Sequence, residues 1–252
     1  MKEVVTVPVA ELCEEPYVSV LCYPRPNRVE AERRLEELEK LGVSALEFGG
    51  RKEVFGVGIL GKGYVGLVVK AFECGKTVAL KIRRVDANRL GMQHESSMLE
   101  RANAVDVGPG LLGMSNNFLV MEFVEGDLLP HWLDKAPRNT LVKKVLRGVL
   151  EQCWRMDEVG LDHGELSDAP KHVIVSEKNV PVIVDFETAS VDRRPSNVTS
   201  ICQFLFFSGK IGKRVCEMLG MKYESEIVGA LRVYKRQRKR ENFERVLEAC
   251  GL

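Results

Sequence analysis

The stretch GKGYVGLVVKAFECGKTVALK, residues 61–81, sets Gly61, Gly63 and Gly66 ahead of two runs of alternating apolar character. Glycines lack a Cβ, so their backbone N–H groups approach a phosphate chain closely. The same G-x-G-x-x-G spacing opens dinucleotide-binding folds, but there the glycine loop leads into a helix. Here GLVVKAFE continues as a strand, and Cys74-Gly75-Lys76 turns the chain back into TVALKIRR. Two antiparallel strands are therefore predicted, with Lys81 closing the alternation of Val78, Ala79 and Leu80. A lysine at that place can pair with phosphate oxygens. An ordinary glycine turn and a surface lysine are the bland alternatives, and the neighbouring sequence has to separate them.

Upstream, EVFGVGIL (53–60) reads as a third strand. NRVEAERRLEELEKLG (27–42) reads as a helix capped by Asn27, with Leu35, Leu38 and Val43 along its apolar edge and Gly42 as its stop. Residues 1–27 read as an irregular or short-stranded start, punctuated by Pro8, Pro16, Pro24 and Pro26. Downstream, DANRLGMQHESSMLERANAV (86–105) places Met92, Glu95, Met98, Leu99 and Ala102 at helical spacing. Glu95 shares its edge with Met98 and Leu99 and is placed to pair with Lys81; Glu100 is the competing choice. GLLGMS (110–115) and FLVMEFV (118–124) are two more strands, with Asn116-Asn117 between them. The segment from Met121 to Gly126 is expected to end extended, offering backbone groups to an adenine edge, with Asp127 toward the ribose.

The second half changes character. LVKKVLRGVLEQCWRMDEVG (141–160) is a long amphipathic helix, followed by HGELSDAPKHVIV (163–175), which sets Glu165 in a polar loop broken by Pro170. HVIVS and PVIVDF are short strands around a Glu177-Lys178-Asn179 turn. Asp185 closes the second of them, where a carboxylate is well placed to hold Mg²⁺. Residues 196–252 are mostly helical, with Gly209, Gly212, Gly220 and Gly229 as breaks. A strand-rich half before a helical half predicts an α+β fold.

Taken in order, Gly61, Gly63 and Gly66, the VALK lysine, the helix glutamate, the VMEFVEG segment, the H-G-E-L loop and the D-F-x element resemble the protein-kinase-like fold over roughly 53–190. The loop and the short tail, with no Ala-Pro-Glu element, are more similar to the compact atypical kinases of the RIO and Bud32 types, as in archaeal serine/threonine kinases of that kind. The resemblance implies a two-lobed protein-kinase-like fold with a β-rich N-lobe and a short helical C-lobe. Its expected boundaries are an N-terminal extension with a helix at 1–52, the N-lobe at 53–125 and the compact C-lobe at 126–252.

It implies ATP and Mg²⁺ as cofactors. Gly61, Gly63 and Gly66 cover the phosphates, and Lys81 contacts them while held by Glu95. Ala79, Met121, Glu122 and Val124 line the adenine, with Asp127 at the ribose, and Asp185 binds the metal. The departures fall in the catalytic loop. The catalytic aspartate of the pattern is Glu165, and its metal-binding asparagine falls on Pro170, which has no such side chain. The loop is two residues longer, so His172 or Lys171 is available for that space, and Asp168 is another carboxylate for the metal. Lys171 is also placed to stabilise the transferred phosphate. The D-F-G glycine is Glu187.

The expected function is thus an atypical serine/threonine protein kinase, slowed by the glutamate, acting on a protein hydroxyl or capable of autophosphorylation. A nucleotide-binding pseudokinase scaffold or ATPase switch is the first alternative, and a small-molecule kinase the second. Bulk properties allow all three. Hydrophobic residues are 45%, charged residues 29% and net charge +1, so only local charge clusters suggest partners. Arg232–Arg240 is the strongly basic run and is the candidate contact for RNA or a ribosomal particle; the bland reading is a solvated helix face. Seven scattered cysteines without a CxxC pair predict reduced thiols. The histidines have no zinc spacing, and neither GxSxG nor HExxH occurs. The N-terminus lacks an uninterrupted apolar core and the apolar runs are too short to span a bilayer, so a soluble cytoplasmic protein without membrane partners is expected.

Overall fold

Glycines and prolines divide the first half of the chain into short antiparallel strands, and a buried apolar stripe organises the second half around one long helix. The computed structural model describes residues 4–135, 138–220 and 224–252; residues 1–3 of the expected N-terminal extension lie outside it. The chain forms two compact units, one of residues up to Ser97 with Gly110–Phe123, the other of Met98–Pro109 with Val124–Leu252. The expected boundary at 52/53 falls inside the first unit.

The first unit contains β1 (Val5–Pro8), a 3₁₀ turn, α1 (Tyr17–Leu21), α2 (Arg28–Lys40), β2 (Val43–Phe48), β3 (Lys52–Val54), β4 (Val57–Ile59), β5 (Gly61–Lys62), β6 (Gly66–Glu73), β7 (Lys76–Arg83), the start of α3 (Gln93–Asn103), β8 (Leu111–Met114) and β9 (Phe118–Glu122). Its main sheet is antiparallel in the order β1-β2-β6-β7-β9-β8, with β5 paired to β6. Alternation along β6 and β7 buries Leu67, Val69, Ala71, Val78 and Leu80 in a core with Leu46, Phe118 and Val120.

α2 starts as its sequence predicts: the Asn27 side chain accepts from Glu30 N at 3.1 Å, and Gly42 at φ +71° ends the helix region. Its buried stripe is Ala31, Arg34 and Leu38. The fully buried Arg34 donates to Leu21 O at 2.7 Å, Arg83 O at 2.6 Å, Glu30 Oε1 at 2.8 Å and Asn117 Oδ1 at 3.1 Å. Its charge and donors are thereby matched, as a buried guanidinium requires. Glu37 accepts from Asn117 N at 2.9 Å and fixes the β8–β9 turn to the same helix.

Several sequence expectations change here. EVFGVGIL is not one strand; Phe55 and Gly56, both at positive φ, fold it into the β3–β4 hairpin. The helix expected over 86–105 begins only at Gln93, because Met92 N donates to Asn116 O at 3.2 Å and Asp86 is drawn to Arg84 at 2.8 Å. The strand expected over 118–124 ends at Glu122, and Gly126, where the extended segment was expected to stop, instead begins a new strand in another sheet.

The second unit contains the rest of α3, β10 (Gly126–Leu128), α4 (Leu129–Asp134), α5 (Asn139–Glu158), a 3₁₀ turn (Leu166–Asp168), β11 (Val173–Ser176), β12 (Pro181–Ile183), α6 (Asn197–Cys202), a π turn (Gln203–Phe207), α7 (Gly209–Leu219), α8 (Glu224–Arg236) and α9 (Arg240–Ala249). α5 buries Val142, Val145, Leu146, Val149, Leu150, Cys153 and Met156. Its Gln152 donates to Pro181 O at 2.6 Å and accepts from Ile183 N at 3.2 Å, which fixes β12 of the antiparallel β10-β11-β12 sheet against it. Asp157, also on α5, accepts from Asn197 N at 2.9 Å and Tyr234 Oη at 2.8 Å, so it caps α6 and anchors α8. Gly209 and Gly220 stand at the two ends of α7 as expected, whereas Gly212 and Gly229 lie inside α7 and α8; a further break falls at 237–239.

Candidate active site

In the first unit the glycine segment is the β5–β6 hairpin, in which Gly61 faces Val68 and Gly63 N donates to Gly66 O at 2.8 Å. A Cβ on Gly66 would lie 2.8 Å from Ile82 O and 3.1 Å from Lys81 Cγ, so glycine is required where the hairpin crosses β7. Lys81 and Glu95 are both 3% exposed, and Nζ meets Glu95 Oε1 at 2.8 Å. Glu100, the alternative partner, is exposed. Ala79 and Met121 are cross-strand partners and half-buried; Glu122 is exposed, with Oε2 3.4 Å from Gly110 N.

In the second unit His163 is fully buried. Its N–H donates to Asn197 Oδ1 at 2.8 Å, its carbonyl accepts from Thr188 Oγ1 at 2.9 Å, and its Nε2 lies 3.1 Å from Val184 O. Burial, and then the neighbouring His172, push its pKa down to about 4, so the ring is neutral at pH 7 and braces the loop. Gly164 at φ +92° turns the chain into Glu165. A Cβ there would meet Arg193 Nη2 at 2.7 Å, and Arg193 is itself paired to Asp162 at 3.0 Å.

The loop and the residues after β12 bring four charged or polar side chains together. Lys171 Nζ lies 3.8 Å from Glu165 Oε2 and 3.9 Å from Asp185 Oδ2. His172 Nε2 lies 3.0 Å from the same Glu165 oxygen and 3.8 Å from the same Asp185 oxygen. The pKa of His172 is lowered, chiefly by burial, against the opposing pull of Asp185. Asp185 does not close the strand as expected: β12 ends at Ile183, and Asp185 sits beyond it at φ +74°. A non-glycine residue held there is a frequent feature of functional sites.

The other expected site residues are not drawn into this group. Asp168 is exposed on the 3₁₀ turn, and among the described residues no three His, Cys, Asp or Glu side chains are gathered to hold a metal. Pro170 is exposed, Glu187 is buried, and Val124 is half-buried. Asp127 is ion-paired with Lys135. It lines a cavity of about 440 Å³ with Glu125, Trp132, Ser176 and Asn179.

The basic run does not form one face. Tyr234 is buried against Asp157, and Arg240 is held by Glu151 at 2.7 Å and stacks over Trp154 at 4.6 Å. Arg232, Lys235, Arg236 and Lys239 remain exposed. The residue that sequence reasoning missed altogether is Arg34. An arginine on the apolar stripe between Ala31 and Leu38 was its available signal.

A model of the RIO domain matches residues 71–200. The chain belongs to the RIO domain family. This RIO-domain protein is 30% identical over 101 residues to an uncharacterized protein of Methanocaldococcus jannaschii, covering 40% of this chain and 84% of that one. It is also 30% identical over 118 residues to the KEOPS complex subunit Bud32 of Pyrococcus abyssi, covering 46% of this chain and half of Bud32. These likenesses make it an atypical, RIO/Bud32-like member of the kinase-like proteins. Among the described residues no helix is long and apolar enough to cross a membrane.

Proposed function

We propose that this RIO-domain protein is an ATP-dependent phosphotransferase of the atypical serine/threonine kinase kind. The observation that carries this reading is the cluster in which Glu165 and Asp185, 20 residues apart, each place an oxygen within 4 Å of the Lys171 ammonium. The buried Lys81–Glu95 pair adds the phosphate-positioning lysine that such chemistry needs. Gly61, Gly63 and Gly66 offer backbone donors to the phosphates, while Ala79, Met121, Glu122 and Val124 border the adenine and Asp127 reaches the ribose once it exchanges Lys135.

Glu165 accepts the proton of the acceptor hydroxyl as the hydroxyl oxygen bonds to the γ-phosphorus and the bond to the ADP oxygen breaks. Lys171 offsets the charge on the transferring group. The donor set suits Mg²⁺, which binds through one or two carboxylates and phosphate oxygens; Asp185 is its residue, with Asp168 reaching it only if the exposed 3₁₀ turn moves. When bound, the ion neutralises phosphate charge.

The test is radiolabelled Mg-ATP turnover by wild type, Glu165→Gln and Lys81→Met, with and without a protein acceptor. Label on protein in wild type that is lost in both variants is the expected result. Background signal from all three refutes the enzyme reading. That outcome would leave the nucleotide-binding scaffold, a reading favoured by the proline at position 170. Label lost in both variants but never on protein would point to ATP hydrolysis or a small-molecule acceptor. The exposed cations of 232–239 support phosphate contact with RNA without base stacking, because Tyr234 is buried. RNA affinity unchanged after alanine replacement of Arg236, Arg238 and Lys239 would remove that partner. Likeness to a subunit of a named complex also supports a protein partner, tested by co-purification of the tagged chain from its native cells.

A further inference from the structure

We propose that His172 is a positioning residue, whose buried imidazole holds the Glu165 carboxylate in the orientation that receives the acceptor proton. This rests on the phosphotransferase reading above and reassigns the histidine expected from sequence as a metal ligand.

The backbone fixes the ring at the meeting of the two functional segments. His172 N–H donates to Ala169 O at 3.3 Å within the loop, and its carbonyl accepts from Val184 N at 3.0 Å, next to Asp185. The side chain is 1% exposed, packed at 5.4 Å from the His163 ring, which in turn packs on Phe186. Lys171, the other group at the same carboxylate oxygen, has a side chain 37% exposed on a flexible stem. Of the two, only the histidine is rigid enough to define where Glu165 points.

The ring's own hydrogen-bonding needs select its chemistry. Both ring nitrogens are buried without a well-formed hydrogen bond, but Nε2 lies 3.0 Å from a Glu165 carboxylate oxygen. A proton on Nδ1 would leave Nε2 with a bare lone pair facing two carboxylate oxygens, at 3.0 and 3.8 Å. The tautomer with the proton on Nε2 removes that repulsion and turns its donor toward the nearest acceptor. That tautomer donates toward Glu165 and cannot ligate a metal through the nitrogen that faces the site. Mg²⁺ also prefers oxygen ligands. The 3.0 Å contact is bent away from hydrogen-bond geometry, as resting catalytic contacts often are before substrate tightens them.

The need for such a brace follows from the substitution itself. Glutamate carries one more rotatable bond than the aspartate of the kinase pattern, and misplacement by about an ångström costs about a hundredfold in rate. Both neighbouring cationic or donor groups approach Oε2, which leaves Oε1 for the acceptor hydroxyl.

The experiment compares His172→Ala, His172→Gln and His172→Asn in turnover and in Mg-ADP affinity. The glutamine amide nitrogen reaches where Nε2 stands, whereas the asparagine amide stops near Nδ1. His172→Ala is expected to lower kcat by about ten- to a hundredfold while Mg-ADP affinity stays within about twofold. Glutamine should recover most of that loss and asparagine should not. Unchanged kcat in His172→Ala overturns the proposal. So does an Mg-ADP affinity that falls in step with kcat, or rescue by asparagine alone, since either would mean a metal ligand.

A turnover-independent readout separates this inference from the functional reading. In ¹⁵N-histidine NMR of the full chain, His172 should carry its proton on Nε2, and Glu165→Gln should shift its ring signals. A proton on Nδ1, or signals indifferent to Glu165→Gln, refutes the contact even in an active enzyme. If wild type turns over no ATP, the phosphotransferase reading falls, and these NMR outcomes alone decide whether His172 holds Glu165.

Discussion

Exchanging Lys81 and Glu95 singly and together turns the buried ion pair into a measurable coupling. Both residues are 3% exposed, and the ammonium meets the carboxylate at 2.8 Å. Lys81→Met strips Glu95 of this partner inside the first unit, and Glu95→Gln does the same to Lys81. Removing one member of a buried pair costs about 3–5 kcal/mol, because a desolvated charge remains. The double variant leaves no charge behind, and methionine and glutamine nearly conserve volume, so it should cost less than the sum of the singles. The expected coupling is at least about 2 kcal/mol, near the upper range for residues in contact. With a urea slope of about 2 kcal/mol/M, the double variant should unfold about 1 M above the midpoint that additivity predicts. Urea titration followed by circular dichroism reads this directly. Single-variant effects that add to within about 0.5 kcal/mol would refute the argument, because they would mean that solvent already screens the pair.

Two other perturbations test the site's framework. Gly66→Ala forces a Cβ to within 2.8 Å of Ile82 O and 3.1 Å of the Lys81 stem; overpacking of about 1–3 kcal/mol should appear as Mg-ATP affinity weakened about tenfold by calorimetry, and unchanged affinity would show that the hairpin does not govern the lysine. His163 has a folded pKa of about 4 against an ordinary 6.5, so the unfolded chain takes up more protons as acid is added; stability is complete above about pH 6.5 and declines toward pH 4 by up to about 3 kcal/mol from this group. His163→Gln should flatten that part of the stability profile, and an unaltered slope would dismiss the histidine as its source.

Local chemistry made much of the fold legible. Asn27 and Gly42 bound α2, Cys74-Gly75 turn β6 into β7, and the apolar period of residues 141–160 marks α5. The misses have a common cause: tertiary partners decide what local pattern leaves open. The helix expected over 86–105 starts late, because the Asn116 carbonyl and Arg84 claim the residues before Gln93. Val43 reads as the edge of a helix, whereas strand pairing with Glu73 makes it the start of β2. At the candidate site the order of Lys81, Glu95, Glu165 and Asp185 was readable from sequence. The convergence of Lys171 and His172 was not, since neighbours along a strand normally face opposite ways and only the loop's irregular backbone turns both toward Glu165.

The shared RIO pattern begins at residue 71, inside β6, and so includes Lys81. What steadies that lysine's strand comes partly from earlier in the chain. β2 covers the outer edge of β6, and Arg34 grips the Arg83 carbonyl two residues past Lys81. The reactive residue and its stiffness therefore have separate origins in this protein. Removing residues 1–48 would keep the lysine but take away β2 and Arg34, leaving the outer edge of β6 uncovered and open to wrong pairing.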